Sequence, residues 1–456
     1  MSKDRAQTKS SPRFKLYPAY KDSGVEWLGE IPAVWGIKRL KRVVRFQGGG
    51  TPAKDNVEYW RGDIPWVSPK DMKVLVVVDT EDKITPQAIR ESATSLVPAG
   101  AVLIVVRSGI LAHTIPVALA GCEVTLNQDL KAMIPRSELL PQYLLYLISG
   151  KQRELLFEWK KEGATVESLE LDLVVRTPIP VPDLDEQRAI AAFLDQETAK
   201  IDALVAKKEQ LIELLQEKRT ALITRAVTKG LDPNVPMKDS GVEWLGKIPE
   251  HWKMAKMWNV SWPSSGGTPP KEVLRYWNGD IPWVSPKDMK RRFIDSTEDT
   301  VTEAAITEAG LRLIDPPAVL IVVRGMILVH TFPVAITRVP VTINQDMKAL
   351  RLRQDLDPEF FGYWLEGVGR DLLAVLVEEA AHGTKAIRMD QWRVTPVEIP
   401  TREEQRVIVA FLNRELGRID ALGATVFAAI ARLKEYRTAL ISAAVTGKID
   451  VRGERV

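Results

Sequence analysis

The sequence predicts an α+β protein written twice. Two homologous α+β domains are separated by two long helices that form an antiparallel coiled coil, and the whole is pseudo-twofold symmetric. Three observations predict this. Lys21–Gly29 (KDSGVEWLG) recurs unchanged at Lys238–Gly246, and Gly62–Lys73 (GDIPWVSPKDMK) recurs at Gly279–Lys290, both at an offset of 217 residues. A block from Glu186 (EQRAIAAFLDQETAKIDAL) matches one from Glu404 (EQRVIVAFLNRELGRIDAL) at an offset of 218, as does Arg219–Ile223 with Arg437–Ile441. Within each copy, strand and turn signals come first and a heptad-like apolar series follows. A repeat this long is a domain plus a connector, not a short solenoid module.

The elements follow in order. Residues 1–16 read as a polar, disordered N-terminal tail without the apolar stretch of a secretory signal. The first domain is expected over residues 17–180 and its counterpart over 231–400. In each, the Gly-rich tracts Gly48–Pro52 and Gly266–Pro270 are loops. The β-branched runs Ala101–Val106 and Ala318–Val323 (both AVLIVV) are buried strands. The amphipathic stretches after Pro141 and Pro358 are helices.

Prolines close each domain, and a long helix follows at residues 181–230 and 401–447, with a tail at 448–456. Asp183 with Glu186 and Thr401 with Glu404 fit capping boxes. The predicted seam of the first helix is Ile190, Leu194, Ile201, Leu204, Leu211, Leu215 and Leu222. That of the second is Ile408, Leu412, Ile419, Leu422, Leu433 and Leu440. Each helix, at roughly 45 residues and about 65 Å, is too long to be covered by one domain, so the two pair with each other. If they are antiparallel, the C-terminus returns to where the first domain begins, and the chain is a nearly closed ring.

Composition narrows the function. Net charge is +3 from 63 basic and 60 acidic residues, so a nucleic-acid surface has to be a local patch. The single cysteine, Cys122, excludes a disulfide framework and a thiolate metal cage. No apolar run approaches a membrane span, which predicts a cytoplasmic protein.

Catalytic motifs are incomplete. Asp315-Pro316-Pro317 resembles an amine-holding methyltransferase loop, but Ala318 replaces the aromatic and the aligned copy reads Pro98-Ala99-Gly100. Glu81-Asp82-Lys83 has the spacing of a nuclease site, yet its counterpart is Glu298-Asp299-Thr300. The Gly48–Thr51 loop lacks a following Gly-Lys-Ser/Thr. His113 and His330 recur without ligands at metal spacing and read as fold histidines, and Trp66 and Trp283 as core anchors. No catalytic residue and no metal site are predicted.

What remains is cationic and placed on loops. Lys70, Lys73, Arg107 and Lys131 correspond to Lys287, Lys290, Arg324 and Lys348, and the second copy adds Arg291 and Arg292. These ten are the DNA-binding candidates. Arg107 and Arg324 each end an AVLIVV strand, where a rigid guanidinium fork can reach a guanine edge or a phosphate.

The whole chain resembles the specificity subunit of a type I restriction–modification system. The residues that carry the resemblance are Glu186-Gln187, Ile190, Leu194, Ile201-Asp202 and Arg219–Ile223, with Glu404-Gln405, Ile408, Leu412, Ile419-Asp420 and Arg437–Ile441. The GG-x-TP loop, GDIPWVSPKDM and NQD resemble one class of its target-recognition domains. The resemblance implies a non-catalytic subunit that binds double-stranded DNA at a bipartite target with a nonspecific gap. It further implies two methyltransferase subunits and two restriction/translocase subunits as partners. S-adenosylmethionine, ATP and Mg are then expected in those partners and no cofactor in this chain. Two other readings are a self-contained DNA methyltransferase or nuclease with fused recognition domains, and a coiled-coil protein adaptor.

Overall fold

The computed structural model describes residues 14–161, 163, 166–379 and 383–453, so most of the predicted N-terminal tail lies outside the described residues. Phe14 and Lys15, assigned to that tail, are placed: Phe14 packs edge-on against Phe193, and Lys15 bridges to Asp450. The chain divides into two compact units, residues 1–208 with 428–456, and residues 209–427.

Each unit is built on a five-stranded sheet with the same topology. In the first unit the strands are β1 (Val44–Gly48), β2 (Ile64–Val67), β3 (Val76–Val77), β4 (Val102–Val105), β5 (Val117–Ala120), β6 (Thr125–Leu126) and β7 (Leu130–Pro135). The order across the sheet is β1-β7-β4-β5-β3, antiparallel except for the last pair. β2 and β6 pair in parallel in a smaller sheet beside it. The helix α1 (Pro141–Gly150) follows, and then α2 (Leu184–Lys229).

In the second unit β8 (Ser261–Ser265), β9 (Trp277–Val284), β10 (Phe293–Ile294), β11 (Val319–Val322), β12 (Val334–Thr337), β13 (Thr342–Ile343) and β14 (Met347–Leu352) repeat the pattern in the order β8-β14-β11-β12-β10. They lead to α3 (Pro358–Leu376), β15 (Pro396–Ile399) and α4 (Arg402–Val445). Both AVLIVV runs form central strands with every residue of Val102–Val105 and Val319–Val322 buried. Burial on both faces explains why these strands read as continuous apolar runs instead of alternating ones.

The long helices pair antiparallel within each unit. In the first unit Arg437 of α4 reaches Asp202 of α2 (2.9 Å), and in the second Arg219 of α2 reaches Asp420 of α4 (3.2 Å). Both pairs use motif residues separated by the same offset of 218. Tight packing of helix on domain is matched too. A Cβ on Gly150 would lie 2.8 Å from Ile441, and one on Gly367 would lie 2.9 Å from Val227, so only glycine lets the short helix of each unit approach the long one. The ends also correspond. Lys229 donates to the carbonyls of Leu245 and Lys247, and Lys448 donates to that of Glu30.

The glutamine of the shared EQ dipeptide locks each long helix to its own domain. Gln187 is fully buried, donates to the carbonyls of Glu138 and Pro182, and accepts from the Leu140 amide. Gln405 makes the same three bonds with Asp355, Pro400 and Asp357.

Three expectations are corrected. The seam is displaced by one residue at three places: Leu204, Leu211 and Leu422 are exposed, whereas Val205 is buried and Ile212 and Gly423 are half-buried. Adjacent positions were both apolar or nearly so, and only the partner helix decides between them. Leu222 and Leu433 are half-buried, and Ile190, Leu194, Ile201, Leu215, Ile408, Leu412, Ile419 and Leu440 are buried. The capping boxes are half made. Asp183 and Thr401 accept from the amides of Glu186 and Glu404, but the Glu404 carboxylate is held by the Trp252 indole (3.0 Å) instead of reaching back. His113 and His330 lie outside the core; both are exposed, at the ends of matched single-turn helices.

Candidate nucleic-acid interface

The repeated loops converge at one edge of each five-stranded sheet, and the sequence shows why. Gly49 sits against the chain at Leu126–Asn127; a Cβ there would lie 2.1 Å from the Asn127 carbonyl oxygen. Gly266 is equally confined, 2.0 Å from that of Ile343. Trp66 donates its indole N–H to the Gly50 carbonyl, and Trp283 to that of Gly267, each at 3.0 Å. Each also meets a second tryptophan edge-on, Trp60 or Trp277. The tryptophans are buried, as expected of core anchors, and they also hold the Gly-rich loop, which the sequence does not indicate.

The Asn-Gln-Asp segment is a tight turn between β6 and β7, and between β13 and β14. The Asn127 side chain accepts from the Asp129 amide (2.9 Å), and Asn344 accepts from that of Asp346 (3.1 Å). The backbone carbonyl of Asp129 accepts from Val106, and that of Asp346 from Val323, each at 2.8 Å. The end of the AVLIVV strand is thus tied to the turn, which places Arg107 and Arg324 beside it.

The candidate cations fall into distinct groups. Lys70 is clasped by Glu81 and Asp82, both at 2.9 Å, and Lys287 by Asp299 (2.8 Å) and Glu298 (3.1 Å). Hydrogen bonds to these carboxylates raise the pKa of both lysines, led by Glu81 for Lys70 and by Asp299 for Lys287. Their charge is already compensated. The repeated acidic pair seen in the sequence is therefore a lysine clasp. Arg292 is turned inward: its guanidinium stacks over Tyr363 (3.2 Å to the ring centre), donates to the Glu359 carbonyl and pairs with Glu366. It joins the sheet edge to α3, and this corrects its assignment to an open surface.

Arg107 is exposed but paired through Nε with Asp129 (2.7 Å). Arg324, Lys73, Lys290 and Arg291 are exposed with no acidic partner among the described residues. Lys131 and Lys348 lie on the central strands β7 and β14, opposite Gly48 and Ser265, and Lys348 donates to the Ser265 hydroxyl. Equivalent edges thus carry one shared frame and different charge. Val74 and Leu75 stand, exposed, where the second unit has Arg291 and Arg292.

Among the described residues no group of three His, Cys, Asp or Glu stands close enough to hold a metal ion, and no helix is long and apolar enough to cross a membrane.

Comparison with known proteins agrees with this architecture. A family model described as the type I restriction modification DNA specificity domain matches residues 32–214 and 249–422. The chain is 38% identical over 200 residues to the type I restriction enzyme EcoR124I/EcoR124II specificity subunit of Escherichia coli, covering 44% of this chain and 47% of that protein. It is 25% identical over 315 residues to the MjaIX specificity subunit of Methanocaldococcus jannaschii, covering 68% and 69%. The chain thus spans about half the length of the first of these and two thirds of the second. Among solved structures, a chain from a study of complex assembly and conformational transition of the type I R-M system superposes with a TM-score of 0.66 at 18% identity, covering 91% of this chain and 98% of that one. The HsdS subunit from Thermoanaerobacter tengcongensis superposes with a TM-score of 0.52 at 17% identity, covering 92% and 98%.

Proposed function

The chain belongs to the type I restriction–modification DNA specificity family, and from that premise we propose that it reads a bipartite DNA target, one half-site per unit, across a nonspecific gap. One observation carries the reading: the same loop-built, tryptophan-anchored sheet edge occurs twice in one chain, each time on its own unit. The long helices, shared by both units, are the surface on which two methyltransferase and two restriction/translocase subunits assemble. S-adenosylmethionine, ATP and Mg belong to those partners, and the assembly works in the cytoplasm.

Arg324 tests the reading. In the complex with methyltransferase subunits, Arg324→Ala is expected to cost about 1–3 kcal/mol and to relax preference at one position of the second half-site only. Arg107→Ala should act on the first half-site, and less strongly, because Asp129 already neutralises that guanidinium. A phosphate contact would instead weaken all sequences alike and lower the salt slope by about one. Sequencing of methylated adenines reads out each half-site separately. A native target without two separated parts would overturn the proposal.

A further inference from the structure

Gln128 and Gln345 are exposed at the tips of the two Asn-Gln-Asp turns, yet the oxygen of each amide is engaged. In both units the hydroxyl of a threonine from the Gly-rich loop, Thr51 or Thr268, donates to the glutamine Oε1 across an identical separation of 77 residues. The neighbours on either side are committed internally. Asn127 and Asn344 cap their own turns, and the Asp129 and Asp346 carbonyls tie down the preceding strand. The loops that carry the threonines are pinned by the indoles of Trp66 and Trp283 and admit no Cβ at Gly49 or Gly266. An exposed side chain engaged in the same way in both units contributes nothing to a core. Its Nε2 keeps both hydrogens without a partner among the described residues, and its Oε1 keeps a second lone pair.

Resting on the bipartite-recognition reading above, we propose that Gln128 and Gln345 are base-reading residues, each set to bind the major-groove edge of one adenine, with Thr51 and Thr268 as the residues that position them. Adenine presents an acceptor (N7) beside a donor (N6–H₂), the complement of an amide offering N–H and C=O side by side. With the threonine hydroxyl donating to Oε1, Nε2 is left to donate to adenine N7 while the second lone pair of Oε1 accepts from N6–H₂. Because both units carry the pair, each half-site contains one such adenine. The unlike residues around it, such as Val74 against Arg291, set the remaining bases.

The test uses the full chain in complex with its methyltransferase subunits, acting on a library randomised at both half-sites. Gln128→Ala is expected to reduce discrimination at one adenine of the first half-site by about 5- to 150-fold and to leave the second half-site intact, which also shows that the variant is folded. Gln345→Ala should do the reverse. Thr51→Val should relax the same adenine as Gln128→Ala, and Thr51→Ser should restore it, a rescue that a merely structural threonine would not show. The proposal is overturned by a uniform loss over all sequences, by relaxation at a base other than adenine, or by no change. If the unmodified complex itself methylates without sequence preference, the recognition reading fails first, and that result is distinct from any of these.

Discussion

Replacing Gln405 by leucine is expected to destabilise the second unit by about 2–5 kcal/mol, with little effect on the first. Leucine fills much of the space but leaves the carbonyls of Asp355 and Pro400 and the amide of Asp357 without their partner. Each buried polar group stranded in this way costs about 1–3 kcal/mol, reduced where water enters. The damage falls where α3 and α4 begin, because Gln405 joins the two helix starts. Hydrogen exchange should therefore show lost protection at Asp357–Phe361 and in the first turns of α4. Gln187→Leu should produce the mirrored pattern around Leu140 and α2. A change below about 1 kcal/mol in either variant would mean that the motif glutamine is not the lock described above.

A pH titration should single out the second unit, because it buries an acid where the first has a proline. Glu398 on β15 is fully buried; Pro180 holds the equivalent place. Burial pushes the Glu398 carboxyl up to about 8, against the opposing pull of its own backbone amide, the Trp364 indole and the Lys229 ammonium. The folded unit thus keeps a proton that the unfolded chain releases near 4.5. Stability from this group is complete below pH 4.5 and falls by about 1.4 kcal/mol per pH unit until the folded carboxyl itself ionises near 8.

Glu398→Gln removes the titration while keeping the shape. The variant and the unmodified chain should be alike near pH 4.5. At pH 8–9 the variant should be the more stable by several kcal/mol, on the order of 4. Denaturation followed by exchange in the second unit, at pH 5 and pH 8.5, measures both ends. Equal stability at the higher pH would show that the carboxyl ionises without penalty.

How far the sequence reaches is clearest in the seam and in the cations. Repetition at constant offset made the duplication, the strand–turn domains, the two long helices and the family resemblance legible without coordinates. Ala101–Val106 and Ala318–Val323 could be assigned as buried strands because a sheet covered on both faces demands continuous apolar residues. The helices could be assigned because their apolar residues recur with a period only a helix satisfies.

Tertiary structure decided whatever depends on residues distant in the chain. Periodicity allowed Leu204 or Val205, Leu211 or Ile212, and only contact with the partner helix chose the second of each pair. Charge identified Lys70, Lys287 and Arg292 as candidates, but the clasp by Glu81 and Asp82, its counterpart at Glu298 and Asp299, and the stacking on Tyr363 are made across the fold. The threonine that aligns Gln128 lies 77 residues away from it. The repeat had marked both residues as shared, but only the folded sheet edge brings the hydroxyl to the amide. Local composition sets which element forms; the direction in which a polar side chain spends its hydrogen bonds is settled by neighbours that no local pattern contains.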